Sequence, residues 1–345
     1  MTHVVDEPSI AASVACVIPC HNEEAAIGKV ISDLRASLPE ARIYVYDNNS
    51  TDRTAEVARE AGAVVRQERA KGKGNVIRRA FADVDADALL IIDGDDTYDA
   101  HRARDLVDAL FEGPYDQVLG ARRETTDSAY RPGHAVGNKV LTGAVRTLFG
   151  NDVTDMLSGY RVFSRRFVKS FPALSREFET ETEMTVHALN LRLSTLEIPV
   201  DFRDRAEGSE SKLRTYRDGW RILKVIMTLA RRERPALVHS ILAGLLALCS
   251  LALAVPVLVD YAQTGQVARF PTAILASAIM TIAVIVVLVG YILESIMHMR
   301  QEQSRLSYLS FSAPSRRTHR SPGGAVLPAA HAREPEAAAA GLAKS

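Results

Sequence analysis

Four carboxylates stand within seven residues directly after an apolar run of the chain. The run covers residues 88–92, and the acidic segment at 93–99 reads D-G-D-D-T-Y-D. A strand buried on both faces of a sheet is a continuous apolar run, and α/β sheets bind ligands beyond the carboxyl ends of their strands. Two aspartates around a glycine supply the hard oxygen ligands that hold Mg²⁺ or Mn²⁺ against a diphosphate. Asp93 and Asp95 are therefore the candidate metal ligands.

The alternative for this segment is a solvated acidic turn that caps the helix expected after His101. An EF-hand loop is excluded, since its sixth position requires glycine and Tyr98 stands there. Two more polar segments, 19–24 and 47–52, follow the first two strand-like runs. Each alone is typical of a helix cap, but carboxylates and amides at neighbouring strand ends can contact the base and ribose of a nucleotide. Together the three segments predict a nucleotide site.

The elements that must position these residues alternate between strands and helices. The strand-like runs cover residues 13–19, 43–46, 63–65, 88–92 and 117–120, and the helix-like segments begin near Glu23, Asp52, Asn75 and His101. Such alternation predicts an α/β fold with a mostly parallel sheet.

Two nearly uncharged apolar runs lie far downstream, at 235–260 and 271–294. Each exceeds the roughly 20 residues that cross about 30 Å of hydrocarbon, and the alternative is a pair of buried core helices. Arginines precede the first run and follow the second, whereas the connection carries only Arg269 as a basic residue. The positive-inside rule then predicts a membrane hairpin with both ends in the cytoplasm.

Composition and the terminal segments complete the predicted organisation. The chain has 345 residues with 42 basic and 42 acidic side chains, which gives no indication of nucleic-acid binding. Residues 1–12 are a tail without a secretory signal. Residues 214–234 carry a basic and an apolar stripe, typical of a helix at a membrane surface rather than in a core. Residues 310–345, rich in Pro, Ala, Gly and Arg, predict a disordered tail.

An ordered series of motifs across residues 14–213 resembles glycosyltransferase family 2 enzymes of the GT-A fold. The motifs are V-I-P-C-H-N-E-E, V-Y-D-N-N-S-T-D-R-T, K-G-K-G-N, I-I-D-G-D-D-T-Y, D-M-L-S-G-Y-R, F-E-T-E-T-E-M and R-A-E-G-S-E-S-K-L. The last three, with the two apolar runs, are similar to the polyprenyl-phosphate branch typified by dolichyl-phosphate mannose synthase. The resemblance implies a Rossmann-like GT-A domain over residues 13–213, with its mostly parallel sheet flanked by helices, followed by the transmembrane hairpin. The Q-x-x-R-W signature of processive polysaccharide synthases is missing.

The resemblance also implies roles for individual residues. Those implied for nucleotide-sugar binding are Pro19, His21, Glu23, Asp47, Asn48, Gly94 and Arg205. Those implied for catalysis are Asp93 and Asp95, with Mg²⁺ or Mn²⁺, and Arg122 and Arg161. Those implied for the acceptor phosphate are Arg131, Ser211 and Lys212. Arginine binds phosphate bidentately, although a surface ion pair is the common alternative for each arginine. The family often has aspartate where this chain has Asn48.

The predicted activity is that of an inverting, metal-dependent hexosyltransferase in the cell membrane. It would move one sugar from a UDP- or GDP-sugar to an undecaprenyl, decaprenyl or dolichyl type of polyprenyl phosphate; the alternative acceptor is soluble or a glycerolipid. Glu181 or Glu183 could orient the acceptor, whose phosphate needs no strong base since its second pKa is roughly 6. A dehydrogenase is disfavoured because no G-x-G-x-x-G follows the first strand. An inactive anchoring protein would lack the acidic segment, and a homo-oligomer is compatible with the sequence.

The charge pattern around the apolar runs generates a topological prediction. A single cysteine introduced by Gln263→Cys should react with an impermeant thiol reagent outside the cell, because a short, nearly neutral connection can cross the membrane. A cysteine at Gln303 should be protected until the membrane is opened. Protection at Gln263 together with labelling at Gln303 would invert the orientation.

Overall fold

A mixed seven-stranded sheet forms the centre of the N-terminal domain, with the strand order β4-β3-β2-β5-β7-β6-β8. The computed structural model describes residues 10–124, 143, 155–174, 180–203, 231, 234–320 and 326–328. The strands are β1 (Ile10–Ala11), β2 (Val14–Cys20), β3 (Arg42–Asp47), β4 (Val64–Gln67), β5 (Ala88–Ile91), β6 (Gln117–Glu124), β7 (Arg161–Ser164), β8 (Thr195–Phe202), β9 (Arg317–Arg320) and β10 (Val326–Pro328).

Most pairs in this sheet are parallel, which confirms the predicted fold class. β2 pairs in parallel with β3 and β5, β3 with β4, and β6 with β8. β7 reverses the direction, since it lies antiparallel between β5 and β6. The sequence prediction missed β7 and β8. β8 is an edge strand that contains Pro199, and proline is tolerated at such edges because one side of the strand needs no ladder hydrogen bonds.

Helices cover both faces of the sheet. They are α1 (Ile27–Ser37), α2 (Thr54–Glu60), α3 (Lys73–Asp83), α4 (Ala103–Glu112), α5 (Arg165–Ser170), α6 (Thr180–Asn190), α7 (Pro235–Thr264) and α8 (Phe270–Leu309), with a short 3-10 helix at Ala100–Arg102. One apolar cluster joins the sheet to α1 and α4, and a second joins it to α3, α5 and α6. Because β2 and β5 are buried on both faces, their sequences are continuous apolar runs.

The two apolar runs form long antiparallel helices, α7 and α8. Their facing positions are small and recur every seven residues, at Ala243, Ser250 and Val257 on α7 and at Ala276, Ala283 and Gly290 on α8. Large apolar side chains point outward instead. In the apolar 18-residue stretch of each helix, only 17% is buried. A core helix of a soluble domain would be mostly buried, so the exposed apolar surface favours a membrane hairpin.

Polar contacts join the two helices of this hairpin. The Ser250 hydroxyl donates to the carbonyl of Ala276 at 2.7 Å, and the Glu294 carboxylate accepts the backbone N–H of Ala236 at 3.1 Å. In the connection, Arg269 pairs with Asp260 at 2.9 Å, so the only basic residue of that loop is neutralised.

α8 continues beyond its apolar part and reaches the N-terminal domain. Tyr308, which is buried, donates from its hydroxyl to Asp116 Oδ2 at 2.9 Å. The same carboxylate accepts hydrogen bonds from Arg166 and from the Ser164 hydroxyl. The Arg166 guanidinium stacks on the Tyr308 ring at 4.6 Å. α8 is therefore anchored to α5 through Asp116 and is longer than the predicted span at 271–294.

Part of the predicted disordered tail packs on the domain in the structure. Arg316 pairs with Asp108 at 3.0 Å and with Glu112 at 2.9 Å, both on α4. β9 pairs with β1 and β10 in a second small sheet, so the predicted N-terminal tail also contributes a strand. These contacts join segments that are far apart in the sequence, so no local periodicity in the tail predicts them. Residues 329–345 lie outside the described residues, and their disorder stays a prediction.

The anchor of α8 predicts a loss of stability in Tyr308→Phe. This change removes a hydrogen bond to a buried carboxylate, which contributes about 1–3 kcal/mol. We expect the apparent melting temperature in detergent, at a fixed scan rate, to fall by about 2–12 °C. Tyr291→Phe, at a position on the same helix that is 61% exposed, is the control and should melt like the wild type. An unchanged melting temperature for Tyr308→Phe would contradict the anchor.

Candidate active site

The carboxyl ends of β2, β3 and β5 meet at one edge of the sheet, as the sequence predicts. β2 lies between the other two and is parallel to both, so the polar segments after the three strands are neighbours. The structure thereby brings together the predicted residues Pro19, His21, Glu23, Asp47, Asn48, Asp93, Gly94 and Asp95. Arg131, Arg205, Ser211 and Lys212 lie outside the described residues.

A network of three charged groups stands at the end of β5. The Lys73 ammonium donates to Asp93 Oδ1 at 2.5 Å and to Glu181 Oε1 at 2.6 Å. Burial alone would lower the pKa of Lys73, but the two carboxylates outweigh burial and raise that pKa well above its ordinary value. Lys73 is therefore a permanent cation here. Glu181 is buried, whereas Asp93 is partly open to solvent.

Close packing fixes the acidic turn that carries the candidate metal ligands. A Cβ on Gly94 would lie 2.6 Å from Cys20 Sγ, so only glycine lets the turn rest on β2. Asp95 accepts the Thr97 hydroxyl at 2.6 Å and is buried. Asp96 adopts a positive φ of 56° and pairs with Lys29 at 2.8 Å, so its side chain points to α1. Gly94 was predicted to bind the nucleotide-sugar. In the structure, its lack of a side chain lets the turn pack against β2.

The carboxylates of this turn fit a hard divalent cation in donor chemistry. The backbone of Gly159 packs directly against this turn, since a Cβ on Gly159 would lie 2.8 Å from Asp93 Cγ and 3.0 Å from Lys73 Nζ. Among the described residues, no group of three or more His, Cys, Asp or Glu is arranged as a complete metal site. Asp93 and Asp95 would therefore need further ligands from a substrate, as is usual for Mg²⁺ bound to phosphates.

The side chain of Asn48 is occupied by the protein itself, which corrects its predicted role. Its amide nitrogen donates to the carbonyls of Glu68 and Ala70 at 2.9 and 2.8 Å, and its oxygen accepts the Gly72 N–H at 2.7 Å. These three bonds leave little capacity for reading a base. Asn48 instead holds the 68–72 loop, which leads directly into Lys73.

The remaining nucleotide candidates keep their predicted place at the edge. Asp47, which is buried, accepts the Ser50 N–H at 3.2 Å. The exposed His21 ring lies 3.0 Å from the Asn48 carbonyl through Nδ1, and Pro19 is half-buried at the end of β2. Glu23 is half-buried, and its carbonyl accepts the N–H of Ile27 at 3.0 Å at the start of α1.

Arg122 lies inside β6 rather than in a loop after it, and it already has a carboxylate partner. Its guanidinium makes two 2.7 Å bonds to Asp155 and stacks over Phe202 at 5.5 Å. Burial disfavours the charged form of Asp155, but the ion pair outweighs burial and lowers the pKa of Asp155. Arg122 keeps some exposure, with 28% of its side chain accessible. A phosphate bound here would have to share the Arg122 guanidinium with Asp155.

Arg161 is buried beside Glu181, Asp155 and Tyr98, and its predicted contact with a phosphate stays a prediction. It is 1% exposed and donates to the carbonyls of Ser158 and Met156 at 2.8 and 2.6 Å and to the Thr185 hydroxyl at 2.9 Å. Burial lowers its pKa. An arginine that satisfies backbone carbonyls holds the 156–158 segment and α6 in place and has no open face for a phosphate.

Sequence reasoning quoted the motif around Lys73 without giving the lysine a role. Its position carried a signal, since Lys73 is the first residue of α3, where the helix dipole disfavours a cation unless an anion pairs with it. Tyr98 was also missed: it is buried, and its hydroxyl accepts the Gly159 N–H at 2.9 Å. Burial first, and then the charge of Asp93, raise the pKa of Tyr98 to about 12.

Comparisons with known proteins place the chain among glycosyltransferases. Residues 15–171 match the family model described as "Glycosyl transferase family 2". Glycosyltransferase AglJ of Haloferax volcanii is 36% identical over 229 residues, which are 65% of this chain and 74% of that protein. The "Dolichyl-phosphate hexose transferase" of the same organism is 28% identical over 221 residues, 64% of this chain and 95% of that protein.

A solved structure gives the same fold. Glucosyl-3-phosphoglycerate synthase from Mycobacterium tuberculosis, in complex with phosphoglyceric acid, superposes with a TM-score of 0.53 and 25% identity over 64% of this chain and 80% of that chain. The same enzyme has also been solved with Mn²⁺ and UDP-glucose, and at 22% identity that likeness shows the fold alone.

The contacts of Asn48 predict that Asn48→Asp loosens the 68–72 loop. The carboxylate cannot donate, so it would face two carbonyl oxygens, and the lost bonds are worth about 2–3 kcal/mol. Trypsin should then cleave after Arg69 and Lys71 about thirty- to a hundredfold faster, because the loop opens more often. Gln67→Glu makes the same chemical change at an exposed neighbour and should cleave like the wild type. Equal cleavage rates would contradict the holding role.

Proposed function

The chain belongs to glycosyl transferase family 2, and we propose that it transfers one hexose, with inversion, from a nucleotide-diphosphate sugar to a polyprenyl phosphate at the cytoplasmic face of the cell membrane. The observation that carries this proposal is the continuity of α8 from the apolar hairpin to Tyr308 on the catalytic domain. A helix that is lipid-facing at one end and docked on the sheet at the other suits an enzyme whose acceptor lies in a membrane.

The donor would lie along the edge formed by β2, β3 and β5. Asp47 and the backbone around Pro19 and His21 are available to the nucleoside, since the Asn48 side chain is committed to its loop. We assign the diphosphate to the turn after β5. Asp93 and Asp95 would hold Mg²⁺ or Mn²⁺, and the bound cation would neutralise the charge that develops on the leaving diphosphate. UDP and GDP both remain candidate nucleotides for this site.

The acceptor phosphate would approach from the segments outside the described residues. Arg131, Ser211 and Lys212 are the candidates for its contacts, with the 214–234 segment at the membrane surface and Arg205 on the donor. A phosphate monoester, with a second pKa of roughly 6, is largely ionised near pH 7 and can attack the anomeric carbon without a strong base. Glu181 is buried and its carboxylate is paired with the Lys73 ammonium, so it is poorly placed to take a proton from an acceptor.

The relatives support a lipid acceptor and also define the second candidate. One relative is named a dolichyl-phosphate hexose transferase, which points to a polyprenyl phosphate. The solved neighbour is named a glucosyl-3-phosphoglycerate synthase, which points to a soluble phosphorylated acceptor. Since the hairpin exposes a continuous apolar surface, the lipid acceptor is the better match here.

One incubation tests donor and acceptor together. Membranes that contain the protein should transfer label from one of a panel of UDP- and GDP-sugars into a product that partitions into organic solvent. Asp95→Asn keeps the shape but removes one charge from the metal site, so transfer should fall about a hundredfold or more, with folding retained. The control is Asp85→Asn, the same chemical change at a 51% exposed aspartate that precedes β5, at the opposite end of the strand from the acidic turn.

Two results would contradict the proposal. Label that appears only in a water-soluble product would favour the phosphorylated soluble acceptor. Wild-type transfer by Asp95→Asn, or undiminished transfer by the wild type in excess EDTA, would remove the metal role.

A further inference from the structure

A lysine ammonium sits between two carboxylates beside the proposed metal ligand. Lys73 Nζ is 2.5 Å from Asp93 Oδ1 and 2.6 Å from Glu181 Oε1. The Lys73 side chain is 13% exposed and that of Glu181 is 6% exposed, so little water screens this pair, whereas Asp93 is 30% exposed. The charge of Lys73 is therefore coupled most strongly to that of Glu181.

One carboxylate oxygen in this network is unused. The Lys73 ammonium is bonded to both carboxylates, the buried guanidinium of Arg161 also interacts electrostatically with Glu181, and Glu181 Oε2 is buried without a hydrogen-bond partner in the part of the chain that the structure describes. Buried carboxylate oxygens in native proteins are nearly always bonded, so a partnerless one marks a position that a donor can take. The nearest mobile donor is the ammonium on the same carboxylate.

The surroundings leave the ammonium one direction of movement. The backbone of Gly159 closes one side, since a Cβ there would lie 3.0 Å from Lys73 Nζ. The start of α3 fixes the main chain of Lys73, while its four-carbon stem is flexible. The Asn48 bond to Gly72 N holds that start in place. Nζ can therefore shift along the line between Asp93 and Glu181.

We propose that Lys73 is a resident countercation of the metal site. It neutralises Asp93 before a divalent cation binds, and it moves fully onto Glu181, with Oε2 as its new acceptor, when the cation takes Asp93. The shift follows from repulsion, because an ammonium and a divalent cation on one carboxylate repel each other strongly. Lys73 and Glu181 are thus positioning residues that act through Asp93. This inference rests on the proposed metal at Asp93 and Asp95.

The proposal predicts opposite effects on metal affinity for the two members of the pair. Lys73→Met removes the competing cation, so Mn²⁺ should bind about tenfold more tightly, although the hexose transfer rate falls. Glu181→Gln removes the carboxylate to which the ammonium withdraws, so Mn²⁺ should bind about tenfold more weakly. A residue with only a structural role would weaken binding in both variants. The measurement is the electron paramagnetic resonance signal of free Mn²⁺, titrated into the full chain in detergent without nucleotide.

Matched variants separate the local effect from the general charge. Lys71→Met removes a lysine charge two residues away at an exposed position, and it should leave Mn²⁺ affinity within about twofold of wild type. Lys73→Arg keeps the charge and should not tighten binding. Should Lys73→Met fail to fold, as judged by thermal unfolding, Glu181→Gln and Lys73→Arg still decide: unchanged affinity in Glu181→Gln, or tighter binding in Lys73→Arg, overturns the proposal.

Asp95→Asn in the same titration distinguishes failure of this inference from failure of the proposed function. If Asp95→Asn leaves Mn²⁺ binding unchanged, the metal site itself is wrong and both proposals fall. If Asp95→Asn abolishes binding while Lys73→Met and Glu181→Gln bind Mn²⁺ like the wild type, only the countercation role is overturned.

Discussion

Parallel strands that end at one edge of a sheet collect polar side chains there, and in this protein Asp93 and Glu181 share one cation near that edge. The Lys73 ammonium pairs directly with both carboxylates, so it joins the turn after β5 to α6. Much of the nearby structure supports this one cation. Asn48 holds the loop that leads into α3, Gly159 packs against the ammonium, and Tyr98 holds the backbone of Gly159. The acidic edge and its neutralisation therefore depend on one another.

Two arginines that resemble phosphate ligands serve the protein in different ways. Arg161 is buried among backbone carbonyls and fixes the segment before β7, so its charge is a structural support for α6. Arg122 is clamped by Asp155 but keeps an accessible flank above Phe202. A guanidinium with five donors can hold a carboxylate and still meet a phosphate, whereas a fully buried one bonded to backbone carbonyls cannot. We infer that Arg122 is the better candidate of the two for contact with the donor.

How much the sequence could predict follows from the range of each interaction. The acidic turn, the strands at residues 88–92 and 13–19 and the start of each apolar helix are local patterns, so they were predicted within a few residues, whereas the extension of α8 to Leu309 was not. The family resemblance supplied the fold around them. The role of Asn48 depends on carbonyls about 20 residues away in the sequence, and that of Lys73 depends on Glu181, more than 100 residues away. No local sequence motif therefore reveals either role. β7 and β8 were missed because a short reversed strand and a proline-containing edge strand carry weak local signals.

A helix that is continuous from Phe270 to Leu309 has no flexible joint between the apolar hairpin and Tyr308. At a rise of 1.5 Å per residue, the segment from Glu294 to Tyr308 measures about 21 Å. In a membrane, such a rod would hold the catalytic domain at a set height and limit its tumbling. An acceptor diffusing in the bilayer would then meet the active site in a search within a plane. The orientational entropy of the catalytic domain is lost once, when the chain folds, and not again each time the active site meets an acceptor.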